Sequence, residues 1–157
     1  MKKKRQRWCP GDVIEIDLGD RRFAYGRVLK FPLIAFYDLV ANETPTLDRI
    51  IVSRIAFKIW VMKYAVTSGE WPVIGHIPLT DDLKESPRFF KKDRIAKKLS
   101  IYLGDGVEQP ATLEEIEGLE CAAGWDPEHV VDRLNDHFAG RPNKWVLSLL
   151  PDKSEYK

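Results

Sequence analysis

Cysteine is scarce in this chain: Cys9 and Cys121 are the two among 157 residues, far apart and outside any CxxC spacing. That excludes a disulfide scaffold and fits a reducing compartment with two free thiols, although spacing alone leaves a bridge between them open. Apolar runs approaching the roughly 18 residues of a membrane-spanning helix are missing, so no membrane partner is expected. The opening MKKKRQR is charged like the start of a signal peptide, but it runs into Trp8-Cys9-Pro10-Gly11-Asp12 rather than an apolar stretch. A cytoplasmic location is the expectation. Phosphate-cradling loops are lacking too, because Gly104-Asp105-Gly106 is a turn and matches neither GxGxxG nor GxxxxGK. Net charge is small, with 25 Lys+Arg against 24 Asp+Glu giving +1, so there is no global pull towards nucleic acid or membrane.

What is present is a globular composition, 44% hydrophobic and 31% charged, enough for one domain over residues 1–157 to bury a core. The charge is segregated. Residues 1–10 hold five bases and no acid, and are expected to form a flexible basic arm. Residues 84–98 hold seven bases against Glu85 and Asp93, whereas residues 105–140 hold ten acids against Arg133 alone. Either the molecule is polarised and steers charged partners, or these blocks neutralise one another in the fold.

Residues 11–103 read as a β body. After Pro10-Gly11-Asp12, Val13, Ile14, Ile16 and Leu18 interleave with Glu15 and Asp17 as in a half-buried strand. Gly19-Asp20-Arg21-Arg22 is a turn, residues 23–30 form the return strand, and the apolar residues 33–39 form a central one. Ile55, Phe57, Ile59 and Val61 alternate in a fourth, and residues 71–77 close a further hairpin. Residues 80–98 are polar and basic around Phe89-Phe90 and read as a long connection, and residues 99–102 as a short strand. The period then changes over residues 112–140. Thr112 and Glu115 make a capping box ahead of a stripe of Leu113, Ile116 and Leu119, which predicts a first acidic helix. Asp126-Pro127 starts a second, with Val130, Val131, Leu134 and Phe138 inward and Gly140 then Pro142 at its end. Residues 143–150 are a strand or a short helix. The expected fold class is α+β, a mainly antiparallel sheet or small bent barrel followed by two acidic amphipathic helices.

Candidate chemistry is thin. His129, Arg133 and His137 lie one turn apart beside Asp132 and Asp136, so a metal site there is geometrically possible, yet the spacing lacks His-Glu-x-x-His and a solvated helix face is the expected reading. His76 reads as a rim residue and Cys121 as a small half-buried apolar one. No catalytic residue, metal ligand or cofactor is assigned. Trp60, Trp71, Tyr64 and Phe57, with Lys58, Lys63 and Arg54, could stack single-stranded nucleic acid, against core packing as the alternative. The acidic rows, Glu114, Glu117 and Glu120 on one helix and Glu128, Asp132 and Asp136 on the other, are the predicted partner-binding surface, aimed at something basic.

The block from Arg7 through Trp8-Cys9-Pro10-Gly11-Asp12-Val13-Ile14-Glu15-Ile16 resembles the immunity protein 26 family of bacterial polymorphic toxin systems. The likeness continues through Arg22-Phe23-Ala24-Tyr25-Gly26-Arg27-Val28-Leu29, Leu33-Ile34-Ala35-Phe36-Tyr37-Asp38, Lys58-Ile59-Trp60-Val61 and Trp71-Pro72-Val73-Ile74-Gly75. The resemblance implies a cytoplasmic, mainly β, non-enzymatic protein that binds and neutralises a cognate toxin; it defines no inhibitory residues and no oligomeric state. The same hairpin is similar to the barrel of MazF-like endoribonucleases, but Tyr25-Gly26-Arg27-Val28 replaces their Gly-x-Arg-Pro. A non-catalytic nucleic-acid reader using Lys91, Lys92, Lys97 and Lys98 is the third reading.

Overall fold

The computed structural model describes residues 3–156. Alternation builds its first strands. β1 (Asp12–Gly19) sends Ile14, Ile16 and Leu18 into the main core and Val13 to the opposite face, where Tyr25, Tyr37 and Ile50 meet it. Asp20 and Arg21 both take positive φ, 53° and 58°, the backbone of a two-residue hairpin turn whose twist matches the flanking strands. β2 (Arg22–Val28) therefore returns directly along β1. β3 (Leu33–Ala41) is apolar on both faces over its first half because both faces are covered.

The remaining elements are α1 (Leu47–Ile51), β4 (Ile55–Val61), α2 (Tyr64–Thr67), β5 (Val73–His76), α3 (Asp81–Lys84), β6 (Phe89–Asp93), β7 (Lys98–Gly104), β8 (Val107–Ala111), β9 (Glu120–Cys121), β10 (Gly124–Trp125), α4 (Pro127–Ala139) and α5 (Lys144–Leu149). They form two open sheets, one ordered β10-β4-β3-β2-β1-β5 and the other β8-β7-β6-β9. All pairings are antiparallel except β10 with β4 and β9 with β6. The fold is α+β and mainly sheet, but no barrel closes. The expected hairpin between residues 55–62 and 71–77 does not form: after β4 the chain passes through α2 and joins the far edge, where β5 pairs with β1.

Two further expectations are corrected. Residues 80–98, read as a long connection, contain α3 and the inner strand β6. Phe89 and Phe90 point to opposite faces of β6, the first into a cluster with Leu29, Leu33 and Leu83 between the sheets, the second into a separate core with Leu99, Ile101, Ile116 and Tyr156. The predicted first acidic helix is a run of turns. Its capping box does form, with Thr112 N–H donating to Glu115 Oε1 at 3.0 Å and Glu115 N–H to Thr112 Oγ1 at 3.2 Å. Gly118 then takes φ +79° and turns the chain into β9, and one turn of helix lacks the length to propagate against that competing pairing. Its stripe survives, because Leu113, Ile116 and Leu119 all pack on the second core.

The second helix, α4, matches its expectation, starting with Pro127 in its first turn and ending at Gly140 in the left-handed conformation. Its apolar stripe of Val130, Val131, Leu134 and Phe138 lies on the main core. The six residues from Glu120 to Trp125 give an edge strand to each sheet in turn, β9 to the second and β10 to the first.

Candidate partner-binding surface

The acidic residues do not assemble into one free surface. Glu120 accepts from both terminal nitrogens of Arg133, at 2.8 Å each. Asp132 accepts from Trp145 Nε1 at 2.9 Å, and Asp136 from Asn143 Nδ2 at 2.9 Å and from Arg141 at 3.2 Å, so α5 and its approach cover two of the three acids on the outer row of α4. Glu114, Glu117 and Glu128 are exposed. Glu114 and Glu117 lie on the turns over the second core, apart from Glu128 on the first turn of α4. Part of the second basic block is also engaged within the fold: Lys91 pairs with Glu108, Lys92 donates to the carbonyls of Ser148 and Leu150, and Lys97 pairs with Glu155.

The histidines of α4 go to different neighbours. His129 stacks on Trp145 with ring centres 3.7 Å apart, and His137 Nε2 lies 2.8 Å from Asp38 Oδ1 while its edge meets Phe57. The hydrogen bond from His137, reinforced by Arg54, holds the Asp38 carboxyl below the usual carboxylate range. The stacking platform is dispersed as well. Phe57 and Trp71 are buried in the main core, and Trp60 packs against Phe89 and Tyr102 between the sheets. Tyr64 alone of the four is openly exposed.

Tyr64 belongs to a different constellation, which no pattern in the sequence singles out. Phe31, Met62 and Tyr64 are 53%, 45% and 49% exposed, large apolar side chains at one margin of the first sheet. The backbone brings them together. Val61 N–H donates to Pro32 O at 2.9 Å, which sets the β2–β3 turn beside the end of β4, and Lys63 Nζ sits 5.6 Å from the centre of the Phe31 ring. Trp8 meets the same ring edge-on at 5.1 Å, and its Nε1 donates to Leu29 O. Acids rim the patch: Tyr64 Oη donates to Asp126 Oδ1 at 3.1 Å, and Glu128 and Glu70 lie close enough to act on it. Desolvation first, then the Asp126 hydrogen bond and the charges of Asp126, Glu128 and Glu70, push the phenol of Tyr64 upward. Aromatics and Met at the centre with charge around them is the composition of a protein-binding site.

The basic start of the chain runs towards this margin. Gln6 N–H donates to Thr67 O at 3.1 Å, Gln6 Nε2 to Trp71 O at 2.6 Å, and Lys3 pairs with Glu70. Lys2 of the expected arm lies outside the described residues.

Arg27 is committed to the fold, with four of its five N–H donors engaged by the protein itself. The side chain is 3% exposed and its guanidinium donates to Gly11 O at 3.0 Å, Tyr37 Oη at 3.2 Å, and the carbonyls of Ile77 and Pro78. The residue that an RNA-cutting barrel would need is here a structural staple.

The family model of immunity protein 26 matches residues 9–101, more than half of the chain. The chain belongs to the immunity protein 26 family. No curated protein and no solved structure matches it. The matched span takes in β1 to β6 and most of β7, with Phe31, Met62 and Tyr64 inside it, and stops short of the acidic residues 105–140. Among the described residues, no helix is long and apolar enough to cross a membrane.

Proposed function

We propose that this immunity protein neutralises a cognate bacterial toxin in the cytoplasm by binding it, through the margin formed by Phe31, Met62 and Tyr64 with Asp126 and Glu128 at its rim. Family membership supports the class of function, and the exposed apolar patch with an acidic border supports the place. The apolar centre supplies burial and the rim favours a basic counterpart, such as the substrate site of an enzyme that acts on a polyanion. The protein itself catalyses nothing in this reading; it occludes. Of the acidic residues predicted to carry the contact, Glu128 stands at this rim, Glu114 and Glu117 lie elsewhere, and Glu120, Asp132 and Asp136 serve the fold.

The test pairs the chain with the toxin domain encoded beside it. Growth rescue on co-expression and a one-to-one complex in calorimetry are expected, and failure of both with a folded, active toxin would overturn the reading.

A further inference from the structure

We propose that Cys9, Asp12 and His76 form a divalent-metal site suited to zinc. One ligand atom from each of the three lies within 4.8 Å of the other two. The donor set is a thiolate, a carboxylate and an imidazole, a combination that favours zinc over magnesium or calcium. It is independent of the toxin-binding margin, and nothing in it depends on a toxin.

Three features of the backbone create this site. Cys9-Pro10-Gly11-Asp12 is a tight turn, closed by Asp12 N–H donating to Cys9 O at 3.1 Å, with Gly11 at φ +105° in the position that needs a left-handed residue. The turn brings the thiol and the carboxylate together. Asp12 is then the register partner of His76 across the β1–β5 pair, which adds the imidazole. A Cβ at Gly11 would stand 2.7 Å from His76 Cε1 and 2.8 Å from Ile77 O, so glycine is what lets the ring lie against the turn. Behind it, Arg27 ties the carbonyls of Gly11, Ile77 and Pro78 to one buried guanidinium, holding both flanks of the site in place.

His76 Nδ1 lies 2.8 Å from Asp12 Oδ1. A zinc ion with bonds of about 2.0–2.1 Å replaces the proton between them and opens that separation to about 3.3 Å. The imidazole keeps its single proton, now on Nε2, and the Cys9 thiol releases its proton to solvent. Asp12 is nearly buried while Cys9 and His76 are exposed, so the ion is gripped from below and reached from outside. An open hollow of about 390 Å³, lined by Pro10, Lys30, His76, Pro78, Leu79 and Lys84, lies alongside. The two lysines oppose a cation and so weaken its binding, and the titration is run through the micromolar range.

Cobalt(II) is the probe, titrated into the full-length, tag-free protein. One ion per chain is expected, with tetrahedral visible bands and a thiolate-to-cobalt absorption in the near ultraviolet, both abolished by added zinc. Cys9→Ser should remove the thiolate band, and Cys9→Ser and His76→Gln should each weaken binding about tenfold or more. Cys9→Ser keeps the test meaningful if His76→Gln folds poorly, because Cys9 Sγ makes only a 3.9 Å contact with Pro10 O and its unfolding midpoint in chelator should equal the parent's. Absence of saturable binding at micromolar cobalt in the parent, or bands that persist in both variants, would overturn the proposal.

Discussion

Arg133 grips Glu120 with both ends of its guanidinium while the flat of the same group lies 3.8 Å from the centre of the Phe57 ring. The pair joins α4 to β9, and through Phe57 to β4, so one cation touches both sheets.

Glu120→Gln keeps the shape but breaks the charge pair, leaving a mostly buried guanidinium without its counter-ion. It should lower unfolding free energy by about 1–3 kcal/mol in urea, a range set by charged hydrogen bonds in a partly solvated site. Phe57 and Trp125 still flank Arg133, so the fold should persist. A loss of toxin binding with stability unchanged would instead place Glu120 at the interface.

Tyr64→Ala and Phe31→Ala should each weaken toxin capture through faster dissociation, by roughly thirtyfold if they are central contacts worth about 2 kcal/mol. Glu128→Lys should act mainly on the association rate and reduce its salt dependence. Glu114→Lys and Glu117→Lys, over the second core, should leave capture unchanged. Surface plasmon resonance with the cognate toxin separates these outcomes, and the reverse ranking would move the interface to the acidic turns.

Burial pushes the Tyr25 phenol up from 10.0 to about 12, with the neighbouring Glu15 carboxylate adding to the rise and a hydrogen bond with Thr44 opposing it. Between those values the unfolded chain gives up this proton while the folded one keeps it, so stability is complete below pH 10.0 and falls as pH rises towards about 12. Tyr25→Phe should flatten that alkaline limb in denaturation curves. An ultraviolet titration should also lose its latest phenolate step.

Asp38 shifts the other way. Its folded carboxyl holds a proton less tightly than the unfolded one, so the contribution is complete above the ordinary carboxylate range and fades as pH falls through that range and below. His137→Gln removes the largest cause and should make stability less steep in acid, beyond any constant offset from the lost Phe57 contact. Parallel acid limbs for parent and variant would refute the assignment.

The first three strands were legible because apolar alternation at Val13 to Leu18 and the unbroken run at Leu33 to Tyr37 report burial on one face and on two. Phe89 and Phe90 defeated the same logic. Adjacent aromatics serving opposite cores, followed by two lysines, carry no period that distinguishes a strand from a loop. The capping box at Thr112 was real, yet a capping box announces only where a helix could begin, and Gly118 together with the pairing of Glu120 with Phe89 decided how far it went.

The candidate sites were less legible than the fold. Helical spacing put Asp132 and Asp136 on one side of α4 but could not show that Trp145 and Asn143 would close over them. Asp12 and His76 stand 64 positions apart, and only the β1–β5 pairing makes them neighbours. The PGD turn beside Cys9 was the one sequence signal that could have drawn attention there, since it fixes where a thiol and a carboxylate meet.

The short span from Glu120 to Trp125 also limits how this architecture can be recombined. A chimera that takes one sheet from this chain and the other from a relative must satisfy both donors within the same six positions, since each parent would demand its own edge there. Swapping surface side chains at Phe31, Met62 and Tyr64 imposes no such joint demand, so if the proposed margin binds the toxin, its specificity is more readily retuned by point changes on a fixed frame than by exchanging cassettes.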